Sequence, residues 1–235
     1  MAKQFLRELS QGLLHLLLPD LCAGCGHPLV SGETVLCVGC AMQLPLTGFH
    51  EDPDNEAARR FAGRVAFERA SAYTFFTPGG LMQHLLHGLK YSGRQHIGTW
   101  LGESFGHALG RTAWMADVDA VIPVPLHPKK EAARGFNQSA LIAAGIAAAA
   151  EKPCFSRALL RTRATETQTH KNREERVANV AGAFAVREPS LLTGKHLLLT
   201  DDVLTTGATL EAAASALHNI NKARVSFATL ALAKM

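Results

Sequence analysis

The segment best suited to chemistry runs Leu197-Leu198-Leu199-Thr200-Asp201-Asp202-Val203-Leu204-Thr205-Thr206-Gly207-Ala208-Thr209. An apolar run leads into two adjacent carboxylates. A short loop of Thr, Gly and Ala follows, and the spacing predicts a helix from about Thr209. In a parallel sheet the carboxyl end of a strand opens onto the ligand crevice. Thr hydroxyls and consecutive backbone amides ahead of a helix make an anion nest, which the helix dipole reinforces. Gly207 lets the backbone come close to a bound group. Two carboxylates beside such a nest accept from vicinal hydroxyls. The pattern therefore suits a ribose 5-phosphate, with hydroxyls on Asp201 and Asp202 and phosphate on Thr205, Thr206, Gly207, Ala208 and Thr209. The plainer alternative is a strand, turn and helix with an Asp/Thr cap.

The second chemical cluster is Cys22-x-x-Cys25 and Cys37-x-x-Cys40, two knuckles separated by 11 residues. Each puts two thiolates on one tight turn, and Gly24 and Gly39 ease the bend. Two such turns complete a tetrahedral sulfur site. So few apolar residues surround it that metal binding would supply the folding energy. The expectation is structural zinc on Cys22, Cys25, Cys37 and Cys40, with no open position for catalysis. His27 is an alternative fourth ligand, and a pair of redox disulfides is the competing reading, disfavoured in a reducing compartment. Cys154 stands apart and reads as a small buried hydrophobe.

The elements that must position these groups come from patterning. Of the 235 residues, 47% are hydrophobic and 19% charged, which excludes a disordered chain. No run of about 18 uncharged apolar residues exists, which excludes a polytopic membrane protein. Phe5, Leu6, Leu9, Leu13, Leu16 and Leu17 predict an amphipathic helix over 3–18, docked on the core or a partner, or lying at a membrane surface. Residues 50–60 are polar and read as a linker or a boundary helix, which sets domains of 1–60 and 61–235. Strands are expected within Val65–Phe76 and over Val118–Val124, Ala183–Val186, His196–Thr200 and Val225–Leu232. Helices are expected over Gly79–Lys90, Ile97–Trp114, Ser139–Ala150 and Thr209–His218. Their alternation implies an α/β domain with a largely parallel sheet.

Net charge is +4, unevenly spread: residues 1–60 hold 4 Lys/Arg against 7 Asp/Glu, whereas 61–235 hold 20 against 13. The segment 157–176 concentrates Arg157, Arg161, Arg163, Lys171, Arg173 and Arg176, which suits phosphate or nucleic acid, or simply a solvated face. Glu8, Gln11 and His15 interrupt the N-terminal leucine run, and no small-x-small site precedes Cys22. The segment is thus not a signal peptide, and the reading is cytoplasmic.

The 197–209 stretch resembles the phosphoribosyl-diphosphate (PRPP) motif of type I phosphoribosyltransferases. With the cysteine module, Val124-Pro125-Leu126, Arg134-Gly135-Phe136-Asn137-Gln138, Arg161-Thr162-Arg163, Gln168, Arg176, Asn179 and Gly182-Ala183-Phe184, the chain resembles the ComF family from about Leu14 to Leu232. The resemblance implies a type I phosphoribosyltransferase-like core, a mostly parallel sheet flanked by helices, plus a small zinc-ribbon-like N-terminal module. It implies ribose hydroxyls on Asp201 and Asp202, 5-phosphate on Thr205 to Thr209, and a pyrophosphate loop at Pro125, Leu126 and His127. Mg²⁺ would bridge diphosphate and sugar. Lys129, Lys130 and Arg134 are candidate diphosphate contacts, and Arg134 joins Asp201 and Asp202 as a candidate catalytic residue. The basic segment would close over PRPP, or bind DNA through Arg161, Arg163, Lys171, Arg173 and Arg176. Lys90 and Arg94 fit the family pattern without an evident role.

The implied function is an accessory role in DNA uptake or utilisation, handling single-stranded DNA beside a competence helicase or ATPase at the inner face of the inner membrane. The alternatives are an active phosphoribosyltransferase with an unidentified acceptor, and a PRPP-sensing regulator without turnover. There is no G-x-x-x-x-G-K-[ST] loop. The chain begins Met1-Ala2 without the N-terminal cysteine of the amidotransferases, so glutamine hydrolysis is not expected.

Overall fold

A computed structural model describes residues 19–162 and 182–234. The expected helix over 3–18 lies outside the described residues, as do Arg163, Lys171, Arg173 and Arg176. No helix among the described residues is long and apolar enough to cross a membrane.

The chain divides into two compact units, 1–44 and 45–235. In the first, the helix α1 (Val38–Met42) takes in the second cysteine knuckle, with Cys37 as its N-cap and Cys40 in its first turn. An antiparallel bridge joins Leu21 to Pro28, and Leu29, Val35, Leu36 and Leu44 are buried.

The second unit has strands β1 (Ala70–Phe76), β2 (Ala120–Pro123), β3 (Leu159–Arg161), β4 (Phe184–Val186), β5 (His196–Leu204) and β6 (Arg224–Ala233). Its helices are α2 (Glu56–Arg59), α3 (Leu81–Tyr91), α4 (Gln95–Gly110), α5 (Ala113–Ala116), α6 (Pro128–Arg134), α7 (Gln138–Ala149) and α8 (Ala208–His218). The main sheet has the order β1–β6–β5–β2, every pair parallel. Residues 153–155 run alongside β2, with Cys154 bridged to Val121. β3 and β4 form a separate antiparallel pair.

β5 and β6 are buried along nearly their whole length, as in a sheet with helices on both faces. Phe61, Leu197, Leu199, Leu210, Leu217 and Phe227 belong to one buried cluster. Elsewhere α7 packs on α4 at backbone contact. A Cβ at Gly102 would collide with the Ile142 carbonyl, and one at Gly145 with the Thr99 carbonyl. That close packing explains why the apolar, Ala-rich α7 has no polar face.

Three expectations change. The predicted helix over Ile97–Trp114 breaks after Gly110 and restarts as α5. The division between units falls after Leu44, not at residue 60. Asn55 gives the reason: it is buried, and its Nδ2 donates to the carbonyls of Phe49, Asp52 and Ala70 at 3.1, 2.6 and 2.8 Å. Its Oδ1 caps α2 by accepting from Ala58 N–H at 3.0 Å. The polar stretch thus carries a short helix, as the boundary-helix reading has it, and is bonded to the start of β1. Finally, β5 runs on to Leu204 instead of ending at Thr200.

Candidate functional site

Strand lengths create the site. β2 pairs with β5 only as far as Pro123 against Thr200, and the next bond, Val124 N–H to the Thr200 carbonyl, spans 2.8 Å. β6 keeps pairing with β5 through Asp201–Thr229 and on to Leu204–Leu232. Asp201 and Asp202 are therefore strand residues held on one side and open on the other. Beside that edge is a cavity of about 620 Å³, in the size range of ligand sites.

Each wall has a structural origin. Asn137 caps α7, accepting from Ser139 N–H at 3.1 Å, and its Nδ2 donates to the Val124 carbonyl at 3.1 Å. This fixes Ser139, whose Oγ donates to Asp201 Oδ1 at 2.7 Å. Asp202 N–H donates to the same oxygen at 2.9 Å. Lys90, in the last turn of α3, places Nζ 2.5 Å from Asp202 Oδ2. Lys130 and Arg134 come from α6, and Arg134 bonds Gln138. Arg161, on β3, lies over the Phe184 ring at 5.4 Å and completes the wall. Tyr91, Leu126, Phe136 and Thr209 also line the cavity. Tyr91 is 69% exposed, and the Arg134 guanidinium sits 5.8 Å from its ring centroid.

Four cations thus face two carboxylates. Burial, together with the Asp202 charge, pushes the Asp201 carboxyl up to about 7, against the pull of the Ser139 hydrogen bond and Lys90. Burial and the nearby Arg161 and Arg134 charges lower the Lys130 ammonium. Burial lowers Arg161 as well, opposed by Asp201. Burial is thus the main cause on both sides, and a ligand that carries anionic groups, hydroxyls and a cation would give the charged forms additional partners.

Of the sequence candidates, Asp201, Asp202, Arg134, Leu126, Thr209 and Arg161 line this cavity. Thr205, Thr206 and Gly207 form the turn between β5 and α8, with Gly207 as the N-cap at φ +82°. Ala208 is already the first helical residue. His127 and Lys129 are not among the lining residues. His127 instead caps α6, its ring accepting from Lys129 N–H at 3.3 Å ahead of Pro128. Proline at N1 is the signal that marks His127 as a cap. Arg161, grouped by sequence with a DNA-binding track, faces Asp201.

Sequence reasoning missed two residues, Arg60 and Arg64. Arg60 Nη1 donates to the Thr205 carbonyl at 2.8 Å and Arg64 Nη1 to the Thr206 carbonyl at 2.7 Å. Arg60 is the C-cap of α2 and Arg64 lies in the turns that follow it, and nothing local in the sequence identifies the loop they meet.

In the first unit, one sulfur from each of Cys22, Cys25, Cys37 and Cys40 lies within 4.8 Å of the others, and the set can hold a metal ion. Cys25 and Cys37 are 3.7 Å apart, close to the ~3.8 Å edge of a tetrahedron with metal–sulfur bonds of ~2.3 Å. Cys22 Sγ accepts from Cys37 N–H at 3.2 Å and Gly24 N–H at 3.4 Å. Burial raises Cys22, yet these amide bonds bring it down to about 6. Burial and the neighbouring thiols drive Cys40 upward. A set in which one thiolate is favoured and the next opposed is one that a dication resolves. His27 is exposed and outside the cluster.

A phosphoribosyl transferase domain model matches residues 139–235. DNA utilization protein YhgH of Escherichia coli K12 is 30% identical over 211 residues, covering 83% of this chain and 89% of that protein. Competence protein ComFC of Bacillus subtilis is 27% identical over 222 residues, covering 94% and 88%. Competence protein F of Haemophilus influenzae is 31% identical over 101 residues, covering 43% and 44%. The domain match and the parallel sheet between helices give a type I phosphoribosyltransferase-like fold. On these grounds the chain belongs to the ComF family of phosphoribosyltransferase-like proteins.

Proposed function

We propose that the chain binds PRPP or a closely related phosphosugar at the open edge of β5 and serves as an accessory protein in DNA uptake or utilisation. The observation that carries the reading is the pair Asp201 and Asp202 at a strand edge, faced by Lys90, Lys130, Arg134 and Arg161. The carboxylates would accept from the ribose hydroxyls. The turn before α8 would hold the 5-phosphate, and the cations on α3, α6 and β3 the diphosphate. Mg²⁺ would arrive with the diphosphate and keep part of its water shell. The cysteine cluster would hold structural zinc, with all four positions filled by protein. The DNA role rests on the names of the relatives, and the balance of +7 over residues 61–235 is compatible with contact to a nucleic-acid backbone.

The cation cluster also favours a second reading, transfer. The bond from ribose C1 to diphosphate would break with its electron pair on the departing diphosphate, and an acceptor lone pair would form the new bond. That step needs charge stabilisation of the leaving group, not a protein nucleophile.

The test is calorimetric titration of Mg-PRPP into zinc-loaded protein, beside Asp201→Asn/Asp202→Asn. Binding that disappears in the double variant supports the site. A folded wild type that takes up no Mg-PRPP refutes it. Diphosphate release in the presence of candidate acceptors tests transfer. Single-strand affinity measured against salt tests the DNA role, which a slope near zero would contradict.

A further inference from the structure

We infer that Arg60 and Arg64 are positioning residues that aim the backbone amides of the Thr205–Gly207 turn at an anionic group of the ligand. The inference rests on the phosphosugar reading and deepens it.

Two consecutive peptide groups of the turn are tied from behind. The Thr205 carbonyl accepts from Arg60 Nη1 at 2.8 Å, and the Thr206 carbonyl from Arg64 Nη1 at 2.7 Å. In a trans peptide the carbonyl and the following N–H point in opposite directions. Holding the Thr205 oxygen against Arg60 therefore turns the Thr206 N–H to the other face of the turn. Holding the Thr206 oxygen against Arg64 does the same for the Gly207 N–H. These amides precede α8, where first-turn N–H groups have no helical acceptor. Successive amides facing one way are what an anion nest requires.

The two guanidinium groups act by geometry more than by charge, because each has its own carboxylate. Arg60 Nη2 bonds Glu56 Oε1 at 2.7 Å, and Arg64 Nη2 pairs with Glu211. Both side chains are fixed at further points. Arg60 Nη2 reaches the Ala233 carbonyl at 3.1 Å, and Arg64 Nη1 the carbonyl of Arg60 at 2.9 Å. Phe61, between them in sequence and fully buried, lies directly under Gly207, where an added Cβ would come within 2.8 Å of its ring. The 55–64 segment is thus a rigid backing for the turn.

The experiment uses full-length zinc-loaded protein and two probes, ribose 5-phosphate and Mg-diphosphate, titrated into wild type, Arg60→Met, Arg64→Met and Arg64→Lys. Ribose 5-phosphate reports the turn, and diphosphate the cation cluster. Expected is about tenfold or greater weakening for ribose 5-phosphate in each Met variant, ~1.4 kcal/mol per tenfold. Mg-diphosphate affinity should stay within about twofold of wild type, and Arg64→Lys, which restores one donor, should recover part of the loss. Arg64 is the less buried of the two, so Arg64→Met carries the test if Arg60→Met does not fold. Unchanged ribose 5-phosphate affinity in a folded variant overturns the inference alone. So does an equal loss for both probes, which marks a merely structural role. A wild type that binds neither probe overturns this inference together with the phosphosugar reading.

Discussion

Lys90 Nζ lies 2.5 Å from Asp202 Oδ2, joining the end of α3 to the open edge of β5. Asp201, its neighbour, turns instead to Ser139. The two carboxylates are thereby held on separate partners, one ionic and one neutral. A sugar diol reaching Asp202 would have to compete with Lys90 or share the carboxylate with it. Replacing Lys90 by Met removes the ion pair and the pull that Lys90 exerts on Asp201. We expect a stability loss of about 1–3 kcal/mol, the scale of a hydrogen bond to a charged group. It should be larger at pH 8, where Asp201 is ionised, than at pH 5.5, where it is protonated. Thermal melts at the two pH values check this, and an equal loss at both would refute it.

Asp201 itself makes the protein sensitive to pH. Its folded value is raised to about 7 from 3.8, so between about pH 4 and pH 7 the folded state binds a proton that the unfolded state has released. Stability from this group is therefore present below about pH 4 and lost as pH rises through 7. Asp201→Asn carries no such penalty and still accepts from Ser139. Its melting temperature should match wild type near pH 4 and exceed it at pH 8, where the stability gained is on the order of 1 kcal/mol or more. Parallel curves across that range would sink the assignment.

The legible part of this molecule was what repeats or alternates locally. Apolar runs marked β2, β5 and β6, helical spacing marked α3 and α8, and the Cys-x-x-Cys spacing marked the metal cluster. Partners distant in sequence were not legible. Arg60 meets Thr205 across 145 positions and Arg64 meets Thr206 across 142, and no local pattern encodes either pairing. Lys90 could be noted but not assigned, because its partner Asp202 sits on another element. Sequence patterning ends β5 at Thr200, because two acidic residues suggest a loop. Pairing with β6 keeps them in the strand nevertheless.

Gly207 is required twice over. Its φ of +82° is a left-handed conformation that a side chain resists, and an added Cβ would meet Phe61 Cε1 at 2.8 Å. Gly207→Ala should cost about 1–3 kcal/mol from the backbone conformation alone, with the steric clash in addition. Adding Phe61→Leu removes the clash and not the conformation. The double variant should therefore lose less than the sum of the two single losses, as coupled neighbours do. Denaturant melts of the four proteins close the cycle, and strict additivity would mean that the ring does not limit this position.

Metal removal should act on the first unit by itself. Residues 19–44 bury few large apolar side chains, chiefly Leu29, Val35, Leu36 and Leu44. Four sulfur atoms within 4.8 Å of one another can hold a metal ion there. A structural metal in such a module contributes much of its folding free energy. Chelation, or Cys40→Ser, should abolish amide-exchange protection over residues 20–44. Protection of β5, β6 and α7 should persist, because their helix-covered sheet has its own core. The reading fails if the module keeps its protection after the metal has been stripped and the thiols are shown to be free.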